Sequence, residues 1–473
     1  MLDPALETDS KPASKLEKIN RVFNRVTSEL FGEGGVAVVV TRQTVLVYFG
    51  LTLFLAVLLT LRRVDAVATP QFWAEDGTLI FRNSVLLNSW DFLSTSVYGF
   101  PYLLPKLIGL FARPFGFEAA PLVYSLAANV FVALLIATFS LPHFKHLVKS
   151  DILRIVFCIV VVCLPNSDEL IGAAINIGWY IGIWAVLTAF MILPRSRVGL
   201  IGLALVHVIC LYSSPSAIII APIWFVRLLR GFLRRDKAEW TFALVILATI
   251  GSLFLVTGDF GSNLDQSKAA FSVVAMLNFL VTRVISELIV GNFGILVLDG
   301  LFGPFIGYIV TLLGLVGLFY LLRVARYKGA LISLAFGGVI LSSMILTFVG
   351  RKSLNETGAV LGDVFIAGSG RYFLLGNAIF FLVILFSLDR LPLSRLKVTL
   401  VSVVLGVILL ALSQSFLLPV RPDTHWPQYA RQIPAALDPT THQPLVIPIQ
   451  PVDPPWYIRF NTDLTLARPV ALP

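Results

Sequence analysis

The sequence predicts an all-α fold, a polytopic transmembrane bundle of about eleven spans with interfacial helices in its outer loops and a small extracytoplasmic C-terminal tail. Three observations predict it. The 473 residues are 57% hydrophobic and only 13% charged, whereas a soluble domain is roughly a quarter charged. The apolar residues come in long runs that suit membrane helices. The runs do not alternate, which argues against a membrane β-barrel.

Residues 1–43 are polar and basic. Leu16, Ile19, Val22, Phe23, Val26 and Leu30 recur at helical spacing between Lys15, Lys18, Arg21 and Arg25. This spacing predicts a short amphipathic helix, lying either on the membrane surface or in solvent. The transmembrane domain follows over 44–416, with spans expected near 44–61, 119–141, 152–165, 171–193, 198–213, 216–230, 239–256, 303–322, 329–349, 372–388 and 397–416. The first run is long enough to span, so it reads as an anchor rather than a cleaved leader. The loops "RLLRGFLRRDK", "RVARYK" and "LDRLPLSRLK" are rich in Lys and Arg, and such loops face the cytoplasm. The N-terminus is therefore expected inside and the C-terminus outside. Two long outer loops result, 62–118 and 257–302, with a shorter one at 350–371. Residues 417–473 form an outer tail of strands and turns, "PLVIPIQP" being the best strand candidate.

The outer loops carry the chemistry. In "FWAEDGTLIF", Glu75 and Asp76 sit between Trp73 and Gly77, where an indole fits the headgroup level. The pair has a plain explanation, since acidic residues favour a helix N-terminus. It also has a sharper one. A carboxylate among aromatics at a membrane edge has its pKa raised by burial and by an acidic neighbour, which suits a general base. "DGTLIFRNSVLLNSW" and "YLLPKLIGLFARPFG" in the same loop have apolar residues at helical spacing and are expected to lie in the interface. A second acidic pair, Asp168 and Glu169 in "NSDEL", fills the short outer loop after the third span, as a solvated turn or as part of the same site. Asn176 and Trp179 lie one to two turns further on, and polar residues inside a span usually face protein or a cavity. In "IAGSGRYFLLGN", Arg371 and Tyr372 stand at the outer mouth of the tenth span. Arg371 either snorkels to lipid headgroups or holds a phosphate through its paired donors, with Arg351 and Lys352 sharing that mouth.

Cys158, Cys163 and Cys210 lie within apolar runs and read as buried hydrophobes. The histidines lack ligand spacing with carboxylates, so no metal site is expected. "NET" at 355–357 matches a glycosylation sequon, a pattern short enough to occur by chance.

In this order of loops and spans the chain resembles the GT-C superfamily, polytopic glycosyltransferases that use lipid-linked sugars. "WAEDG" looks like their catalytic acidic motif, "DE" at 168–169 occupies the place of their second acidic site, and "GRYFLL" is similar to the "RY" motif at the start of a late span. The resemblance implies a polyprenyl-phosphate sugar donor and an envelope acceptor at the extracytoplasmic face of a bacterial inner membrane. Asp76 would be the base, with Glu75 as its substitute. Arg371, with Tyr372, Arg351 and Lys352, would hold the donor phosphate, and Trp73, Asn176 and Trp179 would line the substrate cavity. The chain lacks the large C-terminal domain of bigger members and a clear DxD, so a divalent cation stays open and no cofactor is fixed. No nucleic-acid partner is expected. The largest cavity is expected to open outward, lined by Glu75, Asp76 and Arg371.

Two other classes compete. A transporter or flippase would carry ionisable residues within its spans, whereas here they gather in the outer loops. A noncatalytic envelope scaffold would not need the acidic pair.

Overall fold

The Thr41 hydroxyl accepts the Thr44 amide and so caps the first apolar helix, Arg42–Arg62. Leu51, Leu55 and Leu59 of that helix turn into the core, while Phe49, Leu53 and Leu61 face outward, the pattern of a helix bathed on one side by lipid. The computed structural model describes residues 15–33, 38–165, 167–256, 271–303, 305–349, 352–358, 364, 370–392, 395–440 and 443–461. Among them, six helices are long and apolar enough to cross a membrane, or seven if the bent pair Phe293–Phe302 and Ile306–Tyr320 is one span. The chain is a helical, multi-pass membrane protein.

Two helices form the centre. Ile177–Phe190 and Leu374–Arg390 are apolar around their whole circumference, and nearly every side chain on them is buried. A helix apolar on all faces is stable only when enclosed. Both start at the same end of the bundle, where Trp179 stands next to Tyr372.

The expected spans 303–322 and 329–349 fall on one helical run, Ile306–Phe348. A straight run of 43 residues would be about 64 Å long at 1.5 Å per residue. Yet Tyr308 near its start bonds Asn278, and Phe348 at its end packs 5.4 Å from Phe279. Two adjacent residues cannot meet both ends of a straight rod, so the run folds back on itself between its apolar halves.

The expected outer loop 257–302 is helical where it is described. Residues 257–270 lie outside the described residues, but Val273–Val290 is helical and apolar enough to span. Sequence reading passed over it because Arg283 and Glu287 interrupt the apolar run. They stand one helical turn apart and pair at 3.4 Å, largely buried. Ser272 bonds Asn355, Phe279 packs 4.9 Å from Phe373, and the carbonyl of Val290 accepts from Gln414 at 3.3 Å, next to the Ser415 that Arg62 holds; both ends stay on the Arg62 side of the bundle, and the helix adds no crossing. Asn355 itself is buried and bonded to the Phe348 carbonyl, which removes the "NET" sequon as an accessible acceptor.

Arginines close both ends of the bundle. At one end Arg62, 1% exposed, donates to the carbonyls of Leu164, Ser415 and Phe416 and to Ser167 Oγ, tying the third span to the start of the tail. At the other, Arg227 and Arg230 share Glu239, and both guanidiniums lie over the Phe31 ring. Arg234 bonds Asn24. The N-terminal helix Lys15–Phe31 is therefore docked on the bundle through its C-terminal half, rather than lying free on a surface or in solvent.

The tail forms the expected strand. Leu445–Ile449 (β1) pairs antiparallel with Trp456–Phe460 (β2), Ile447 opposite Ile458. Their inward faces cover Gly77. A Cβ at Gly77 would stand 2.7 Å from Ile449 Cδ1 and 3.0 Å from Ile458 Cδ1, so any larger residue there must push aside the side chains with which the hairpin packs. Gly77→Val is expected to cost about 1–3 kcal/mol by overpacking and to lift the hairpin. Limited proteolysis should then cut the tail faster than in the wild type, and an unchanged cutting rate would show that the hairpin is held elsewhere.

Candidate functional site

The acidic loop is built by the tail. Trp73 forms a parallel bridge with Gln450. The Ala74 amide donates to the Gln450 carbonyl at 2.5 Å, and the Gln450 amide donates to the Phe72 carbonyl at 3.1 Å. These bonds hold Ala74 at φ +33°, a conformation an L-residue rarely adopts. The reversal at Ala74 sends the next two side chains apart.

Asp76 turns inward, 2% exposed. Its Oδ2 accepts the Ala174 amide at 2.8 Å and its Oδ1 the Ile175 amide at 2.7 Å. Both oxygens thus fasten the first outer loop to the entry of helix Ile177–Phe190. Burial pushes the Asp76 carboxyl up to about 7, against the pull of the two amides.

Glu75 turns the other way and stays partly exposed. Burial raises its pKa and the charge of Glu169 adds to the rise, while Arg371 opposes it. Its charge also reaches two tyrosines that sequence reading missed. "VYGFPY" at 97–102 is a tight turn in which Tyr98, Gly99 and Tyr102 all have positive φ, +51°, +76° and +49°. Burial and the Glu75 charge push both phenols up to about 12, which keeps them neutral donors. The only sequence signal was the Gly-Phe-Pro turn flanked by aromatics.

Arg371 completes the cleft. It donates through Nη1 to Glu169 Oε2 and lies 5.4 Å from the Tyr372 ring centre. Trp179 stands edge-on to Tyr372 at 5.0 Å. Glu75, Glu169 and Arg371, from three distant stretches, therefore converge among four aromatic rings. The arrangement offers a carboxylate of raised basicity, a guanidinium, neutral phenol donors and apolar ring faces.

The other expected residues sit around this cleft. The Asn176 side chain is buried and donates to the Glu169 carbonyl at 2.8 Å. Asp168 is exposed, and its carbonyl holds Arg63 and Arg421. Trp73 faces the tail, with the Arg421 guanidinium 4.0 Å above its ring. Arg421 is a second residue sequence reading missed, since nothing near "PVRPD" suggests a contact so far back in the chain. Burial and the neighbouring Arg63 push it down to about 9. Lys352 begins the helix Lys352–Thr357, and Arg351 lies outside the described residues.

Two cavities lie away from the expected acidic residues. A cavity of about 670 Å³ is wholly apolar, lined by Leu104, Phe111, Val130 and Val206 among others. Another, of about 330 Å³, lies under the first loop beside Arg113 and Leu437. Neither is lined by Glu75, Asp76 or Arg371. No three His, Cys, Asp or Glu side chains converge as metal ligands among the described residues.

No family model, curated protein or solved structure matches the chain.

Proposed function

We propose that the chain is an inverting glycosyltransferase of the GT-C kind, moving a sugar from a polyprenyl-phosphate donor to an envelope acceptor. The observation that carries this reading is the convergence of Glu75 with the Arg371–Glu169 pair among Tyr98, Tyr102, Tyr372 and Trp179 at one end of the bundle. An acceptor hydroxyl is a poor nucleophile until a base takes its proton. Negative charge develops on the departing lipid phosphate, and a fixed cation stabilises it. Aromatic faces and neutral phenols suit a ring bearing hydroxyls.

In this reading the base is Glu75 rather than Asp76. Asp76 has both oxygens committed to backbone amides, so it positions the loop. Arg371 holds the donor phosphate. Eleven crossings, a cytoplasmic N-terminus and an extracytoplasmic tail in a bacterial inner membrane accompany the proposal. The fold-back of Ile306–Phe348 and the Lys/Arg-rich loops support that topology, and several of the crossing helices are short.

The purified full chain in lipid nanodiscs is expected to release polyprenyl phosphate from at least one polyprenyl-phosphate sugar when envelope extract supplies the acceptor, with inversion at the anomeric carbon. Reporter fusions after Pro473 should read extracytoplasmic. A cytoplasmic tail, or no transfer from any such donor, would sink the proposal.

A further inference from the structure

The guanidinium assigned to the donor phosphate is already in use, bonded to Glu169. The two side chains keep 30% and 27% exposure. A half-buried pair of this kind is partly screened by water, unlike a fully enclosed one. The arginines at the other end of the bundle are different. Arg227 and Glu239 are 2% and 6% exposed, and Arg227 also holds the carbonyls of Ala189 and Met191. A charge buried that way cannot leave its partner cheaply. The Arg371–Glu169 pair is built to open, and the one at the far end to stay shut.

The backbone around Glu169 is meanwhile fixed. Its carbonyl accepts from Asn176, and the preceding Asp168 carbonyl accepts from Arg63 and Arg421. The carboxylate can swing without moving the chain that carries it. Glu75 stands near enough for its charge to act on Arg371.

We propose that Glu169 is an exchangeable counter-ion of Arg371. An incoming phosphate ester displaces the Glu169 carboxylate from the guanidinium, and the released carboxylate turns toward the hydroxyl-binding side of the cleft, beside Glu75. This rests on the reading of Arg371 as a phosphate anchor. The exchange is favourable because a phosphate meets the planar guanidinium through two parallel bonds, where Glu169 uses Nη1. It also keeps the arginine paired at every stage. Glu169 thus competes with the ligand, and removing its charge strengthens binding, the opposite of what local damage would do.

The test is equilibrium binding of radiolabelled farnesyl phosphate, and separately of inorganic phosphate, to the full chain in phosphatidylcholine nanodiscs. Glu169→Gln is expected to bind about two- to five-fold tighter than wild type, the range a pair still reached by water supports. Glu169→Asp should stay near wild type, and Arg371→Gln should lose saturable binding with or without Glu169→Gln. Tightening toward both probes assigns the effect to the phosphate group itself, and tightening toward farnesyl phosphate alone assigns it to a lipid-borne phosphate. Glu169→Ala provides a second charge-removing variant should the first fold poorly. Equal or weaker binding by the charge-removing variants, with Arg371→Gln still defective, overturns the exchange and leaves the phosphate anchor standing. If no protein binds either probe, the anchor reading fails and the exchange with it.

Discussion

Glu75→Gln is expected to lower sugar transfer by about 10²–10⁴-fold, the usual cost of losing a general base, while leaving the protein folded. The amide keeps the shape of the side chain but cannot take a proton. Stability should hardly change, because the Glu75 side chain is partly exposed and fastens no other segment among the described residues. The wild-type rate should rise with pH on its acidic limb. That limb should lie above the ordinary carboxylate range, because burial and Glu169 raise the Glu75 pKa. In Glu75→Gln the limb should vanish along with the rate. A variant that transfers sugar at the wild-type rate would leave the cleft without its base and remove the main reason to call it an active site.

The helices were legible because long apolar runs need no tertiary knowledge to be recognised, and "PLVIPIQP" was legible as a strand for a similar reason. Glu75, Glu169 and Arg371, which the fold brings together, stood out in the sequence too. Acidic pairs and an arginine at membrane edges are rare enough to stand out in a chain that is 13% charged. What stayed hidden depended on partners far away in sequence. Which of two adjacent carboxylates faces the cleft is decided by the Ala174 and Ile175 amides and by the Gln450 carbonyl. Nothing local to "WAEDG" specifies either. Trp73 was expected in the cavity, but Arg421 claims its ring. Tyr98 and Tyr102 were missed because a turn rich in Gly and Pro reads first as a linker. Val273–Val290 was missed because a pair of opposite charges one turn apart looks like solvent exposure until burial shows them paired.

Asp76→Asn is expected to fail differently, through the fold. The carboxylate accepts two backbone amides, and an asparagine can accept only one of them while its own NH₂ faces the other. One buried donor is left unpaired, at a cost of roughly 1–3 kcal/mol. The melting temperature should fall, and hydrogen exchange at Ala174 and Ile175 should accelerate. Transfer should fall as well, because the loop that aims Glu75 is loosened. The pH dependence separates this role from catalysis. The folded-state pKa of Asp76 is raised to about 7, against about 3.9 for an unperturbed aspartate. Between those values the folded chain holds a proton that the unfolded chain has lost. The stability contributed by this raised pKa is therefore present in full below about pH 4 and is lost as pH rises toward 7. Wild-type melting temperatures should fall across that window more steeply than those of Asp76→Asn, which has no titrating group there. Parallel slopes in the two proteins would mean that Asp76 keeps its charge when folded. The two amides would then have outweighed burial, and the loop would be pinned by an ion rather than by an acid.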